Sequence, residues 1–471
     1  MSMFRPNPIL SSDSYKFSHP NQLPPGLTHG FWGIESRGGW FPEVVMAGPQ
    51  AHILNKMLSP ITMRDVDGAE RFCAVHGEPF HRASWDRIVR VHNGYLPLRI
   101  RAVAEGTVVP VSNILTSIEP TDSEMMWLPG WFETQYLRAI WYATTVATLS
   151  YHAKRIILAA LMKSSDNPLL ELPFKLHDFG ARGVSSAESA MLGGYGHLIN
   201  FKGSDTCEAI EFANHFYDEE MAGFSIPATE HFTICAWGRD GELAAMRKQV
   251  GNIRPGGLAA CVSDTNDIFH ATEHYWGDAL HEEVKKSGGT LVIRPDSGKP
   301  VEVVLKCLQI LERKVGMAKN SKGYKVLPSY YRLIQGDGVN LDSIPEILDE
   351  MHRQGYSASN IAFGMGGALL QKLDRDTQKF AMKCSEVTRD GVNIPVFKSP
   401  ITDPGKASKK GRQDLVRRNG RYETLQNLDA PAPDSLLNLV YENGKHFNRD
   451  NLANIRQRAE APLLAEFGLT A

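Results

Sequence analysis

FKLHDFGARG, at residues 174–183, passes from a short apolar stretch into a polar, glycine-rich cluster. Seven later stretches do the same. LINF (198–201) precedes KGSDT, FSIP (224–227) precedes ATEH, and LAACV (258–262) precedes SDTND. LVI (291–293) precedes RPDSG, YRLI (331–334) precedes QGDG, IAF (361–363) precedes GMGG, and FAMKC (380–384) precedes SEV. Segments with helical periodicity separate most of them. That order is the layout of parallel strands joined by crossover helices. Eight units in roughly 210 residues predict an α/β fold of the (β/α)8-barrel type, whose chemistry sits at the C-terminal ends of its strands. His, Asp, Arg and Gly stand where those strands should end.

The flanks follow no such rhythm. Residues 1–150 are rich in Pro, Gly and Trp, with short strands expected near 96–103 and 106–111. A helix is expected from about 131 to 162, apolar around most of its circumference and therefore buried. The barrel is assigned to 151–388. Within it, Pro300 opens a helix in which Val301, Val304, Leu305, Leu308 and Leu311 share a face. Ser185 and Glu188 have capping-box spacing. In 389–471, RRNGRY and YENGKH carry Asn-Gly hairpin turns, and DAPAPD reads as a loop. This tail is expected to join the N-terminal segment in a second, mixed α+β domain.

Composition narrows the class. The 471 residues are 42% hydrophobic and 22% charged, as in globular enzymes. A formal net charge of −2 argues against a nucleic-acid binder. The six cysteines never fall as CxxC, which points to a reducing compartment and no zinc site. With no signal-peptide core and no membrane-length apolar run, a cytoplasmic location is the expectation.

Several residues could carry chemistry. Gly336-Asp337-Gly338 and the pair Gly366-Gly367 each follow a strand and precede a helix. Glycine loops at helix N-termini bind phosphate through bare backbone amides, or serve only as tight turns. Asp337 suits ribose hydroxyls or a magnesium ion. His231, in PATEH, shares the barrel mouth with Glu230, Asp264 and Asp296; a carboxylate beside it would fix its tautomer. Arg294 with Asp296, and Phe179 with Arg182, form two further strand-end pairs. They suit a flat heteroaromatic ligand and an anion, or they lock the rim. KASKKGR (406–412) is either a solvated loop or a phosphate contact. Lys383, read as part of a buried strand, needs an anionic partner.

Taken together, SSDSYKFSHP, HDFGARGVSS, NFKGSDT, SIPATEH, SDTNDI, IRPDSG, IQGDGV, IAFGMGGALLQKL and DPGKASKKGR resemble the successive motifs of the nicotinamide phosphoribosyltransferase family. The likeness spans nearly the whole chain in order. It implies a type II phosphoribosyltransferase that joins nicotinamide to 5-phosphoribosyl-1-pyrophosphate, giving nicotinamide mononucleotide and pyrophosphate. It also implies Mg2+, ATP as co-substrate, and a homodimer with shared active sites.

The resemblance implies roles residue by residue. Phe179 would stack on the nicotinamide ring, and Tyr15 from the partner subunit would cover its other face. Asp205 would accept a hydrogen bond from the carboxamide, with Arg294 beside the base and Arg182 reaching base and phosphate. Asp296, Gly336 and Asp337 would hold the ribose, and Gly366 and Gly367 the 5′-phosphate. Arg375 and Lys383 would contact phosphates. Arg37, with Asp13 near it, would serve the pyrophosphate region. His231 would be phosphorylated from ATP, oriented by Asp264. The magnesium ligands are left open.

Three readings compete with this one. A nicotinate-using enzyme of the same fold is disfavoured by Asp205, which would repel a carboxylate. A zinc-dependent barrel hydrolase would need H-x-H where HDFG stands. A non-catalytic relative should have lost some of the residues named above. Ala181, Ala260 and Ala381 depart from the family pattern, where an aromatic and two serines are expected. Those departures bear on ATP coupling and some phosphate contacts.

Overall fold

Short apolar runs that end in glycine or aspartate extend, pair in parallel and hand over to helices in the computed structural model, which describes residues 5–398 and 409–470. The chain divides into two compact units. One comprises 149–214 and 220–373; the other comprises 1–148, 215–219 and 374–471.

The unit 149–214/220–373 is built on a curled parallel sheet. Its order is Gly203–Ser204, Leu176–Asp178, Ile361–Met365, Tyr331–Gln335, Thr290–Arg294 and Leu258–Val262. The apolar residues of these runs face both ways because both faces of such a sheet are covered. Residues 224–228 form no regular strand. They make single parallel bridges, Phe224 to Gly203 and Ala228 to Ala260, and so link the two edge strands. Pro227 explains the irregularity: it has no N–H for a ladder, yet its carbonyl accepts from the Ala260 N–H at 2.8 Å. The helix Pro300–Val315 begins at its proline and buries Val304, Leu305, Leu308 and Leu311. The helix Ala187–Leu198 is capped by Ser186, whose hydroxyl accepts from the Ser189 N–H, and not by Ser185.

The expected eight-stranded barrel is corrected at its last member. Phe380–Arg389 belongs to the other unit, where it pairs antiparallel with Leu27–Ser36. Its sequence alternates: Phe380 and Met382 are buried, and Lys383 is exposed. Such alternation suits an antiparallel sheet with one wet face, not a parallel strand covered on both.

That second unit holds a seven-stranded sheet whose centre is Phe380–Arg389, Leu27–Ser36, Ile114–Pro120, Leu98–Ala102 and Asn438–Glu442. Both Asn-Gly turns close hairpins, with positive φ at Asn419, Gly420, Asn443 and Gly444. The apolar helix expected near 131–162 spans Leu128–Ser164. Among the described residues no helix is long and apolar enough to cross a membrane.

A buried ion cluster ties this sheet to the tail. Arg412 donates to both oxygens of Glu119 at 2.9 and 2.6 Å, and His29 Nε2 lies 3.2 Å from the same carboxylate. Burial pushes the Glu119 carboxyl up, but His29 and Arg412 outweigh it and hold it at about 2. A depressed folded-state pKa means the contribution is complete above the ordinary carboxylate range and is lost as pH falls toward the folded value. Glu119→Gln should therefore cost on the order of 3 kcal/mol at pH 7. The gap to the parent should shrink by pH 3. Urea unfolding at both pH values checks this, and an equal gap at both would refute it.

Candidate active site

Parallel strands bring their C-terminal ends to one rim, and the residues expected from sequence follow those ends directly. Phe179 comes after Leu176–Asp178, Asp205 after Gly203–Ser204, and Asp264 after Leu258–Val262. Asp296 follows Thr290–Arg294, Gly336 and Asp337 follow Tyr331–Gln335, and Gly366 and Gly367 follow Ile361–Met365.

A cavity of about 560 Å³ runs inside the curled sheet. Phe179, Asp205 and Arg294 line it, with Ala260, Val292 and Ile334 among its apolar walls. The Phe179 ring lies over Gly364: a Cβ built there would overlap Cε2 and Cδ2 of the ring. Gly336 approaches the same ring, where a Cβ would stand 3.6 Å from Cε2. The Ser225 hydroxyl donates to Asp205 Oδ1. Asp205 Oδ2 has no protein partner among the described residues, so it is available to a ligand amide. His177 also lines the cavity. Burial holds its imidazole below the ordinary value, with the Phe174 carbonyl and Asp205 opposing. Ala260 is one of the cavity's wall residues.

A second group stands beside these residues. His231 Nε2 is 2.9 Å from Asp264 Oδ1, and Nδ1 is 3.9 Å from Asp296 Oδ2. The Asp264 side chain is only 4% exposed, whereas that of His231 is 45% exposed. The other Asp264 oxygen accepts from the Ser297 hydroxyl at 2.5 Å and the Asp296 N–H at 3.2 Å. In the neutral ring with its proton on Nε2, this anchored carboxylate accepts that proton's hydrogen bond and the lone pair lies on Nδ1. Burial raises the Asp296 carboxyl, Asp264 and Asp337 add to that, and Arg294 and His231 oppose it. Arg294 Nη2 is 3.9 Å from Asp296, and among the described residues its buried Nε has no hydrogen-bond partner. Arg182 is exposed on the turn Ala181–Gly183, and Gly183 packs beside Gly367.

Asp13, Tyr15, Arg37, Arg375 and Lys383 lie in the other unit. Arg37, Lys383, Lys409 and Ser385 line one small cleft together with Glu35. Glu35 pairs with Arg37 Nε at 2.7 Å and with Lys409. Lys383 is exposed rather than part of a buried strand, and among the described residues it makes no ion pair with the anionic partner expected for it. Partial desolvation lowers its ammonium pKa; Glu133 opposes this, and Arg37, Lys398 and Arg375 reinforce it. An unpaired ammonium among other cations is a ready receptor for an anion. Tyr15 is 57% exposed, and Asp13 is held by the Thr134 hydroxyl at 2.7 Å. Arg375 pairs with Asp376 at 3.2 Å. From KASKKGR, residues 406–408 lie outside the described residues.

Comparison with known proteins decides the family. The model of the nicotinate phosphoribosyltransferase (NAPRTase) family matches residues 174–445, more than half of the chain. The chain belongs to the nicotinate phosphoribosyltransferase family. The N-terminal domain model of nicotinamide phosphoribosyltransferase matches residues 7–100. A nicotinamide phosphoribosyltransferase of Xanthomonas campestris is 49% identical over 97% of this chain and 99% of its own. A protein of the same name from Acinetobacter baylyi is 29% identical over 97% of each. Among solved structures, a nicotinate-nucleotide pyrophosphorylase from Pyrococcus furiosus covers both chains fully, with a TM-score of 0.61 at 16% identity. Human nicotinic acid phosphoribosyltransferase gives a TM-score of 0.52 at 14% identity, over 95% of this chain and 92% of that one. These two likenesses establish the fold.

Within this family fold the sequence motifs had missed Ser225, His177 and Glu35. Ser225 stands in the quoted SIPATEH, but its bond to Asp205 joins residues 20 apart in sequence and leaves no local signal.

Proposed function

We propose that this member of the family is a nicotinamide phosphoribosyltransferase, joining nicotinamide to 5-phosphoribosyl-1-pyrophosphate and releasing pyrophosphate in pyridine-nucleotide salvage. The observation that carries the choice of base is Asp205, a carboxylate lining the cavity beside Phe179 with one oxygen held by Ser225. Its other oxygen accepts from a carboxamide NH2 and repels a carboxylate. The 49% identity to the Xanthomonas nicotinamide enzyme supports the same reading.

The pyridine nitrogen is itself the nucleophile and has no proton to lose, so the site contributes positioning more than base catalysis. Phe179 and Arg294 orient the ring, and Arg182 serves base and phosphate. Asp296, Gly336 and Asp337 hold the ribose, and Gly366 and Gly367 the 5′-phosphate. As the bond from C1 to pyrophosphate breaks, charge moves to the leaving group, which Arg37, Arg375 and Lys383 receive. Mg2+ would neutralise that group further. Among the described residues no cluster of three or more ligands is poised for a metal. Mg2+ takes one or two carboxylates and substrate phosphates and keeps several waters. Asp296 and Asp337, whose charges act on each other, would hold it.

ATP is the co-substrate, and His231 accepts its γ-phosphoryl group at Nδ1 while Asp264 holds Nε2. The working unit is a homodimer in which Tyr15 of one copy covers the base bound by the other, a role its exposure supports.

Pyrophosphate release from phosphoribosyl pyrophosphate with Mg2+ tests the reading, with nicotinamide and nicotinate in parallel. Nicotinamide should turn over, and Asp205→Asn should narrow its advantage over nicotinate about tenfold. A nicotinate preference in the unsubstituted chain would overturn the choice of base. An unchanged ratio in the variant would remove Asp205 from that role.

A further inference from the structure

Asp178 ends its strand directly before Phe179 and is completely buried. Its side chain points away from the cavity, toward Gly194 of the helix Ala187–Leu198. A Cβ on Gly194 would stand 3.0 Å from Asp178 Oδ2. Asp178 Oδ1 accepts the Gly180 N–H at 2.7 Å, closing the turn that carries Phe179. The Asp178 carbonyl accepts the Asp205 N–H at 2.9 Å. One residue therefore grips both groups that read the base, the ring through its carboxylate and the carboxylate through its backbone.

The arrangement is costly for the fold. Among the described residues Asp178 Oδ2 and the neighbouring Thr206 hydroxyl are buried without a well-aligned hydrogen bond, although the hydroxyl lies close enough to favour the carboxylate. Burial pushes the carboxyl up to about 6, the Gly180 N–H and Thr206 oppose this, and the charge of Asp205 adds to it. An asparagine could make the same bond to Gly180 without burying a charge. A charged group kept at the expense of stability points to function. The charged acceptor also makes the stronger bond to the turn.

We propose that Asp178 is a positioning residue for the base site, its carboxylate locking the turn that presents Phe179 and its carbonyl anchoring Asp205. This inference rests on the nicotinamide reading of the same site. It predicts a split between the two substrates. KM for nicotinamide should rise about threefold in Asp178→Asn and about thirtyfold in Asp178→Ala, following the loss first of charge and then of the hydrogen bond. KM for phosphoribosyl pyrophosphate and kcat should stay within about twofold, since Asp178 bonds no group assigned to the phosphates. The Tm of Asp178→Asn should equal or exceed that of the parent, because a neutral amide replaces a desolvated carboxyl.

Steady-state kinetics with each substrate varied, together with thermal unfolding, measure all of this. An unchanged KM for nicotinamide in both variants overturns the inference. So does a parallel shift of both KM values with a falling Tm, which is the mark of a merely structural role. If Asp178→Ala does not fold, Asp178→Asn decides: a raised nicotinamide KM without a lower Tm sustains the proposal, and any other result ends it. If the unsubstituted chain neither binds nor turns over nicotinamide, the functional reading fails and takes this one with it. If it does both and the variants match it, only the role of Asp178 fails.

Discussion

His231→Ala is expected to abolish the stimulation of turnover by ATP while weak ATP-independent synthesis persists. The ring is fixed at Nε2 by Asp264, and Asp264 is fixed in turn by Ser297 and the Asp296 N–H. That chain of contacts presents Nδ1 on a half-exposed ring as a nucleophile. Phe179, Asp205 and Arg294, proposed to read the base, stand at the ends of other strands. The expected result is therefore a separation of two activities rather than a general loss. Pyrophosphate release with and without ATP, beside ATP hydrolysis, measures it. Equal loss of basal and stimulated turnover would instead place His231 in substrate positioning and remove the phosphohistidine.

The convergence of most residues of the proposed base site was legible in the sequence because parallel strands end at one rim. Once the apolar runs were recognised as strands, the residues after them had to converge, whatever their separation along the chain. The eighth run misled because FAMKC was weighed as an apolar block; the period-two alternation around Lys383 was the better signal. FSIP was legible as a rim element, but its proline reduces it to single bridges. What stayed hidden were pairings with no local pattern. Glu35 meets Lys409 across 374 positions, and no spacing rule links them. Asp178 was quoted in HDFG as a motif letter, but its role depends on burial against Gly194 and on a backbone bond to a neighbouring strand.

Gly364→Ala is expected to raise KM for nicotinamide about 5- to 150-fold, the range that a lost aromatic stack of about 1–3 kcal/mol spans. Gly364 is buried within the strand Ile361–Met365 and has no positive φ, so alanine meets no backbone strain there. The obstacle is the Phe179 ring, which a new methyl group would overlap at Cε2 and Cδ2 and approach to 2.8 Å at Cζ. A phenyl ring cannot bend, and Gly336 limits movement on another side. The ring must then swing into the cavity, where the base is to lie. A general packing defect would also lower activity, so the decisive comparison is a double-mutant cycle. In a Phe179→Ala background the ring is gone, and Gly364→Ala should add almost nothing to the KM already lost. Additive effects would show that Gly364 acts through the strand and not through the ring. Non-additivity would establish that glycine is required at 364 because an aromatic side chain from a neighbouring strand occupies the space where its side chain would be.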